Sequence, residues 1–322
     1  MALRHYCTFE DRPDALIGVK LLALSLERHC RNFQFWIALR NVPDGFWAWI
    51  EKNAPNAKVI VFEPRHGTWN IKAEIITHFL SEVSEEVIWI DSDILVLRDL
   101  EELWPRCRDD VVVAQEYNYP AFVTSAQVEA FGLPPLTTLP HAVNSCVLRF
   151  TRSHVELLRF WGLLLGACKY QTEQQKPFAQ RARGLRSDQD VLEYILSTVR
   201  PDARCSVSYV RTGFEIIQDH GSTTYDFHHR LMNAFGFGHP FFVHALGEKP
   251  WGKSFRRKDS AYVELARIYR EFSEEWFNDS RDVGWFSKTC PVMAAHLLGM
   301  PRCLAGKIWR FLSTGSFRRK LD

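Results

Sequence analysis

VIWIDSDILVLRDLEELW, residues 87–104, runs from a short continuous apolar stretch through two aspartates into an acidic helical turn. Val87 to Ile90 is apolar without alternation and rich in β-branched residues, which predicts a strand covered on both faces. Such strands belong to parallel sheets flanked by helices, and the flanking sequence has that rhythm. Leu16, Val19, Leu22, Ala23 and Leu26 recur at helical spacing before the extended run FQFWIAL (33–39), and KVIVF (58–62) precedes a helical pattern from Lys72 to Val83. Val111 to Ala114 reads as another covered strand. The expected class is α/β, a mostly parallel sheet with helices on both sides.

Beyond it, residues 117–141 carry Pro120, Pro134, Pro135 and Pro140 with little periodicity, as expected of a connection or a cover over the sheet edge. A strand (146–150), a helix (154–167), a polar loop with the run RARGLR (181–186), a helix (189–199) and the apolar run FFVHAL (241–246) follow. There is no internal repeat and no low-complexity segment.

The 322 residues are 46% hydrophobic and 24% charged, the make-up of a folded globular chain. Forty Lys+Arg against 38 Asp+Glu give a net charge of +2, which argues against a dedicated nucleic-acid binder. The eight cysteines include no C-x-x-C pair, so reduced thiols in a cytoplasmic protein are expected. No apolar stretch of signal-peptide length opens the chain, and the longest apolar run, FWGLLLGAC (160–168), is too short to span a bilayer. Charge is concentrated at the end: residues 300–322 hold six basic residues and one acid. There Leu304, Ile308, Phe311 and Leu312 share one helical face, a pattern that suits an anionic membrane surface or equally a helix docked on its own domain.

Asp91 and Asp93 fall where ligands bind in open α/β sheets, outside the carboxyl end of a strand. Carboxylates at i and i+2 point oppositely in a regular strand, but a turn at its end lets both reach one ion, and carboxylate oxygens suit Mg2+ or Mn2+. The same Asp-x-Asp is also what a solvated turn with a capping aspartate looks like. Four further features have an ordinary reading beside a functional one. Asn144-Ser145 before a strand is common turn chemistry, Ser187-Asp188 is a helix cap, His244 follows an apolar strand, and Lys249-Pro250-Trp251 is a plausible loop anchor.

Taken together and in this order, these blocks resemble glycosyltransferase family 8, the retaining nucleotide-sugar transferases that include glycogenin and the lipopolysaccharide galactosyltransferases. The resemblance covers roughly residues 5–255. It implies a GT-A fold, a Rossmann-like α/β domain, over residues 1–255, holding a UDP-sugar (UDP-glucose or UDP-galactose) and Mn2+, with Mg2+ as the alternative, and a helical extension over 256–322 ending in the basic tail. Lys72, nineteen residues before Asp91, is similar to the basic residue that the family sets near the donor. Asp91-Ser92-Asp93 is similar to its metal-binding motif. HAVNSCVLRF (141–150) resembles its Asn-Ser-Gly block, with Asn144 and Ser145 facing the donor sugar and Cys146 where glycine is usual. SDQDVLEYIL (187–196) resembles the block that brings Asp188 and Gln189 to the anomeric carbon and acceptor.

FFVHALGEKPWGK (241–253) resembles the His-x-x-Gly-x-x-Lys-Pro-Trp signature, one residue shorter between Gly247 and Lys249. It implies His244 as third metal ligand, Gly247 for close backbone approach and Lys249 for the diphosphate. Near the first strand, YCTFEDRPDALIG (6–18) lacks the tyrosine that the family sets against uracil, and Thr8, Phe9 or Glu10 stand in its place. The implied reaction moves a hexose to a glycan, glycolipid or other hydroxyl acceptor by front-side attack. With a basic tail, lipopolysaccharide or a lipid-linked glycan at the inner face of a membrane is the expected acceptor, with residues 302–320 as the peripheral contact. Two alternatives are a catalytically inactive binding protein on the same fold and a haloacid-dehalogenase-like phosphatase. The second is disfavoured by Leu95, where that family has Thr or Val, and by the late position of the motif.

Overall fold

The computed structural model describes residues 3–65, 68–104, 109–116, 120–198, 206–219, 240–252 and 260–272. The basic tail and the membrane contact expected of it lie outside the described residues.

The main sheet has seven strands: β1 (Arg4–Glu10), β2 (Phe33–Leu39), β3 (Ala57–Val61), β4 (Glu86–Ile90), β6 (Val111–Gln115), β7 (Val143–Thr151) and β8 (Val207–Val210). Their order is β3-β2-β1-β4-β7-β6-β8. Strands β3, β2, β1 and β4 run parallel, β7 is antiparallel to both its neighbours, and β8 is parallel to β6. Three-residue strands β5 (Ile94–Val96), β9 (Ile216–Gln218) and β10 (Phe242–His244) form a second sheet in the order β5-β10-β9. The expected α/β class with a mostly parallel sheet is what the chain adopts.

Helices cover both faces because apolar residues at 3.6-residue spacing need a surface on which to bury. On one face lie α1 (Leu16–His29) and α2 (Phe46–Asn53), with Val19, Leu22, Leu26, Phe46 and Ile50 packed on Phe35, Ile37 and Ile88. On the other lie α3 (Lys72–Glu82), α5 (Val155–Leu165), α6 (Cys168–Gln174) and α7 (Asp188–Thr198), whose Ile76, Phe79, Leu158, Trp161 and Ile195 bury against Trp89, Leu148 and Phe150. The second sheet sits beside α1, and α8 (Ala261–Ala266) closes its far side through Ala261, Tyr262 and Ala266. Asp219 fixes that helix by accepting from Ser260 Oγ at 2.6 Å and Tyr262 N at 3.1 Å.

The proline-rich stretch is more than a connection. It contains α4 (Ser125–Phe131), started by a capping box between Thr124 and Gln127 and ended at Gly132 with φ +80°. Its seven residues are too few to show a helical period between prolines. Among the described residues no helix is long and apolar enough to cross a membrane, and Cys7, Cys30, Cys146 and Cys168 are free thiols.

Candidate active site

Strand β4 ends at Ile90, the chain turns through Asp91-Ser92-Asp93, and β5 carries it into the second sheet. The turn is held by Asp91 N donating to Cys146 O at 2.8 Å and Ile94 N donating to Asp91 O at 3.2 Å. His244 reaches this turn by strand pairing: it is the register partner of Ile94 in β5 and of Gln218 in β9. Ala245 N donates to Asp93 O at 3.0 Å. One ligand atom from each of Asp91, Asp93 and His244 lies within 4.8 Å of the others.

Two lysines pair with the carboxylates, Lys72 with Asp91 and Lys249 with Asp93. Lys72, the first residue of α3 and 5% exposed, puts Nζ 2.9 Å from Asp91 Oδ1, 2.9 Å from Ser145 Oγ, 3.0 Å from Ser145 O and 3.5 Å from Asp188 Oδ2. Burial disfavours its charge, but Asp188 and Asp91 outweigh burial and hold the ammonium above its ordinary pKa. Lys249 Nζ bonds Asp93 Oδ2, and it also donates to Ala245 O at 2.9 Å. Burial opposes the Asp93 charge too, yet Lys249 and His244 keep this carboxyl well below the usual range. His244 is pulled down by burial and lifted further by Cys146 and Asp93, ending at about 10.

The residues present fit a hard divalent cation. Asp93 Oδ1 is sealed from solvent with no hydrogen-bond partner among the described residues, and His244 Nε2 lies 3.3 Å from it. A buried carboxylate oxygen is costly unless a cation or proton meets it; without a metal the charged His244 ring faces this oxygen, and a divalent cation would take the place of its proton. Two carboxylates and an imidazole are a donor set for Mn2+ or Mg2+.

The other expected residues divide by place. Ser145 Oγ donates to Asp188 Oδ2 at 2.8 Å, so the Asn144-Ser145 block, the start of α7 and Lys72 form one buried network with Asp91. Asn144 accepts from Cys146 N at 2.9 Å, at the point where the β6–β7 register shifts between Val113 and Ala114. Gln189 is held at the rim by donating to Glu116 Oε2 at 2.7 Å. Ser92 turns away from the cation ligands and donates to Glu10 Oε2 at 2.7 Å. Gly247 sits in an exposed loop at φ +81°, a conformation that favours glycine. Thr8, at the carboxyl half of β1, is fully buried, with no partner for Oγ1 among the described residues, and Phe9 packs into the core with Ala38 and Ile71.

Three residues of the site, Trp89, Gly18 and Gln218, were not singled out from sequence. Trp89 reads as core, and its ring is, but its Nε1 donates to Asp91 Oδ1 at 2.6 Å. Glu10, named from sequence as a substitute for the tyrosine against uracil, is bound through both oxygens, to Arg12 and Ser92. Gly18 of α1 lies so close to the turn that a Cβ there would fall 2.5 Å from Ser92 O and 2.7 Å from the Trp251 ring. Gln218 has no signal beyond ending a three-residue strand.

No protein-family model matches the chain, and no curated protein matches it. Solved structures do. The bifunctional glycosyltransferase WbbM superimposes with a TM-score of 0.55 at 15% identity, over 86% of this chain and 50% of that one. The galactosyltransferase LgtC, solved with donor and acceptor sugar analogues, gives 0.51 at 15% identity over 82% and 95%. The glycosyltransferase GlyE of Streptococcus pneumoniae TIGR4 gives 0.48 at 16% identity over 90% and 64%. The chain thus spans only about half of WbbM and under two thirds of GlyE. The fold is that of the GT-A glycosyltransferases.

Proposed function

We propose that this chain is a nucleotide-sugar glycosyltransferase that works with a divalent cation. The observation that carries the reading is the convergence of Asp91, Asp93 and His244 at the carboxyl end of β4, flanked by Lys72 and Lys249, on this fold. A bound cation would supply Lewis-acid stabilisation of the leaving nucleoside diphosphate. Lys249, at the mouth of the site, adds mobile positive charge for the same diphosphate. Lys72 pairs with Asp91 and Asp188 and aligns them, and Ser145 orders Asp188 at the start of α7. Asp188 and Gln189 then border the space left for the anomeric carbon and the acceptor, with Asn144 and Ser145 on the sugar, and Thr8 and Phe9 toward the base. Gly247 lets the loop of Lys249 turn.

In finer detail we assign Mn2+ rather than Mg2+, because an imidazole ligand favours the softer ion. The donor is UDP-glucose or UDP-galactose, and the hexose is transferred with retention by front-side attack. The acceptor is a glycan or glycolipid, with lipopolysaccharide or a lipid-linked glycan favoured by the basic tail. Residues 1–255 form the transferase domain, and 256–322 form an extension that rests on the inner face of a membrane through residues 302–320. Unchanged association with anionic liposomes after deletion of 302–322 overturns the membrane contact.

The test of the activity is incubation of the purified chain with a panel of nucleotide sugars, with Mn2+ or with chelator, following free nucleoside diphosphate. Metal-dependent release from one donor is the expected result, and it identifies the sugar. No release and no nucleotide binding by calorimetry would leave a non-catalytic protein on this fold.

A further inference from the structure

The His244 ring has a second face of contacts that the proposed activity does not use. Gln218 lies beside it as register partner in the parallel pair of β9 and β10, and is only 2% exposed. Its Oε1 is 2.7 Å from His244 Nδ1. The amide is held at its other end as well: Nε2 donates to the backbone oxygen of Gln115 at 3.3 Å and lies 3.9 Å from Cys146 Sγ. Flipping the amide would set Oε1 against the Gln115 carbonyl, acceptor against acceptor, so the orientation is fixed by its surroundings. With Oε1 facing the ring, His244 must carry hydrogen on Nδ1. The nitrogen left to a metal, which displaces its proton on binding, is then Nε2, 3.3 Å from Asp93 Oδ1.

We infer that Gln218 is a positioning residue for the cation site, fixing the His244 ring so that Nε2 is presented beside Asp93. This rests on the proposed divalent-cation reading. Outer hydrogen-bond partners of a ligating histidine commonly account for about 10- to 100-fold in metal affinity, because they set its tautomer, angle and basicity. No charge, cavity or main-chain irregularity at Gln218 marks the role. It follows from the two fixed ends of one amide between two strands.

The experiment titrates the full chain with Mn2+ alone, read by electron paramagnetic resonance of the free ion, for wild type, Gln218→Leu and Gln218→Glu. Thermal melts check folding. Gln218→Leu is expected to bind Mn2+ about 10- to 100-fold more weakly. Gln218→Glu keeps an oxygen for Nδ1–H but sets its second oxygen against the Gln115 carbonyl, so its binding is expected to fall between wild type and Gln218→Leu. Should Gln218→Leu fail to fold, Gln218→Asn, one methylene short of the ring, carries the same expectation of weakened binding. The second readout is the long-range 1H–15N spectrum of the Mg2+-loaded protein, with the ring assigned through His244→Gln. Wild type shows a single ring form protonated at Nδ1, and the leucine variant loses that single form. Equal Mn2+ affinity and an unchanged ring spectrum in Gln218→Leu overturn the role of Gln218 while leaving the cation reading intact. A wild-type chain that binds no Mn2+ overturns both.

Discussion

Asp93 has one oxygen on the Lys249 ammonium and the other against the His244 ring, and this division sets what each substitution does. Asp93→Asn keeps the shape and removes the charge. Metal-dependent nucleoside diphosphate release is expected to fall by about 100-fold or more, as for loss of a main electrostatic stabiliser, with an unchanged circular dichroism spectrum as the control. Lys249 occupies an oxygen that a cation would use, so it competes for Asp93 until a diphosphate draws it away. Lys249→Met is therefore expected to tighten Mn2+ binding about tenfold in the absence of nucleotide and to weaken UDP binding about tenfold, given the usual worth of charged hydrogen bonds. Calorimetry of each ligand alone reads both changes, and parallel loss of both affinities would contradict the competition. At this scale the sequence was informative where a residue type is rare for its place. Paired aspartates at a strand end stand out, whereas Gln218 and the indole of Trp89 do not, because their roles depend on which atom faces which neighbour.

Elements meet the site at two places where a small change should be felt. Helix α1 touches the turn through Gly18, where an added methyl collides with the Ser92 carbonyl and the Trp251 ring. Gly18→Ala should cost about 1–3 kcal/mol and shift the tryptophan emission, since backbone cannot yield as a flexible side chain can. Helix α7 is tied to β7 by Val143 N donating to Glu193 Oε2 at 3.0 Å. Burial, aided by Asp190 and Glu116, outweighs this bond and pushes the Glu193 carboxyl up to about 7. A carboxyl raised in the folded state favours folding below its unfolded pKa, and that contribution is lost as pH rises through about 7. At 1.36 kcal/mol per unit and with partial exposure, about 1–2 kcal/mol is at stake. Glu193→Gln should thus raise the melting temperature at pH 8 and leave it nearly unchanged at pH 5. Elements with a period or a continuous apolar run, such as β2, β4, α1 and α3, were legible from sequence. Strands β5 and β9 were not, because three residues cannot display alternation, and α4 was hidden between prolines.

At the scale of the whole chain, the fold class was readable because alternating strands and helices repeat over the first hundred residues, while the second sheet exists only through distant pairing. His244 pairs with Ile94, and Phe242 with Val96 and Ile216. Every strand of the main sheet is complete in sequence before β10 begins. The order of synthesis therefore matters: a ribosome has already delivered both aspartates and Lys72 long before it delivers the histidine. Non-local contacts of this span are slow to form, since loop closure precedes any gain from pairing. A growing or truncated chain that stops short of residue 241 would present the aspartate turn without its third ligand or its mobile lysine. On the proposed reading, competence to bind the cation would work as a check on completeness, and half-made copies would be kept from consuming donor.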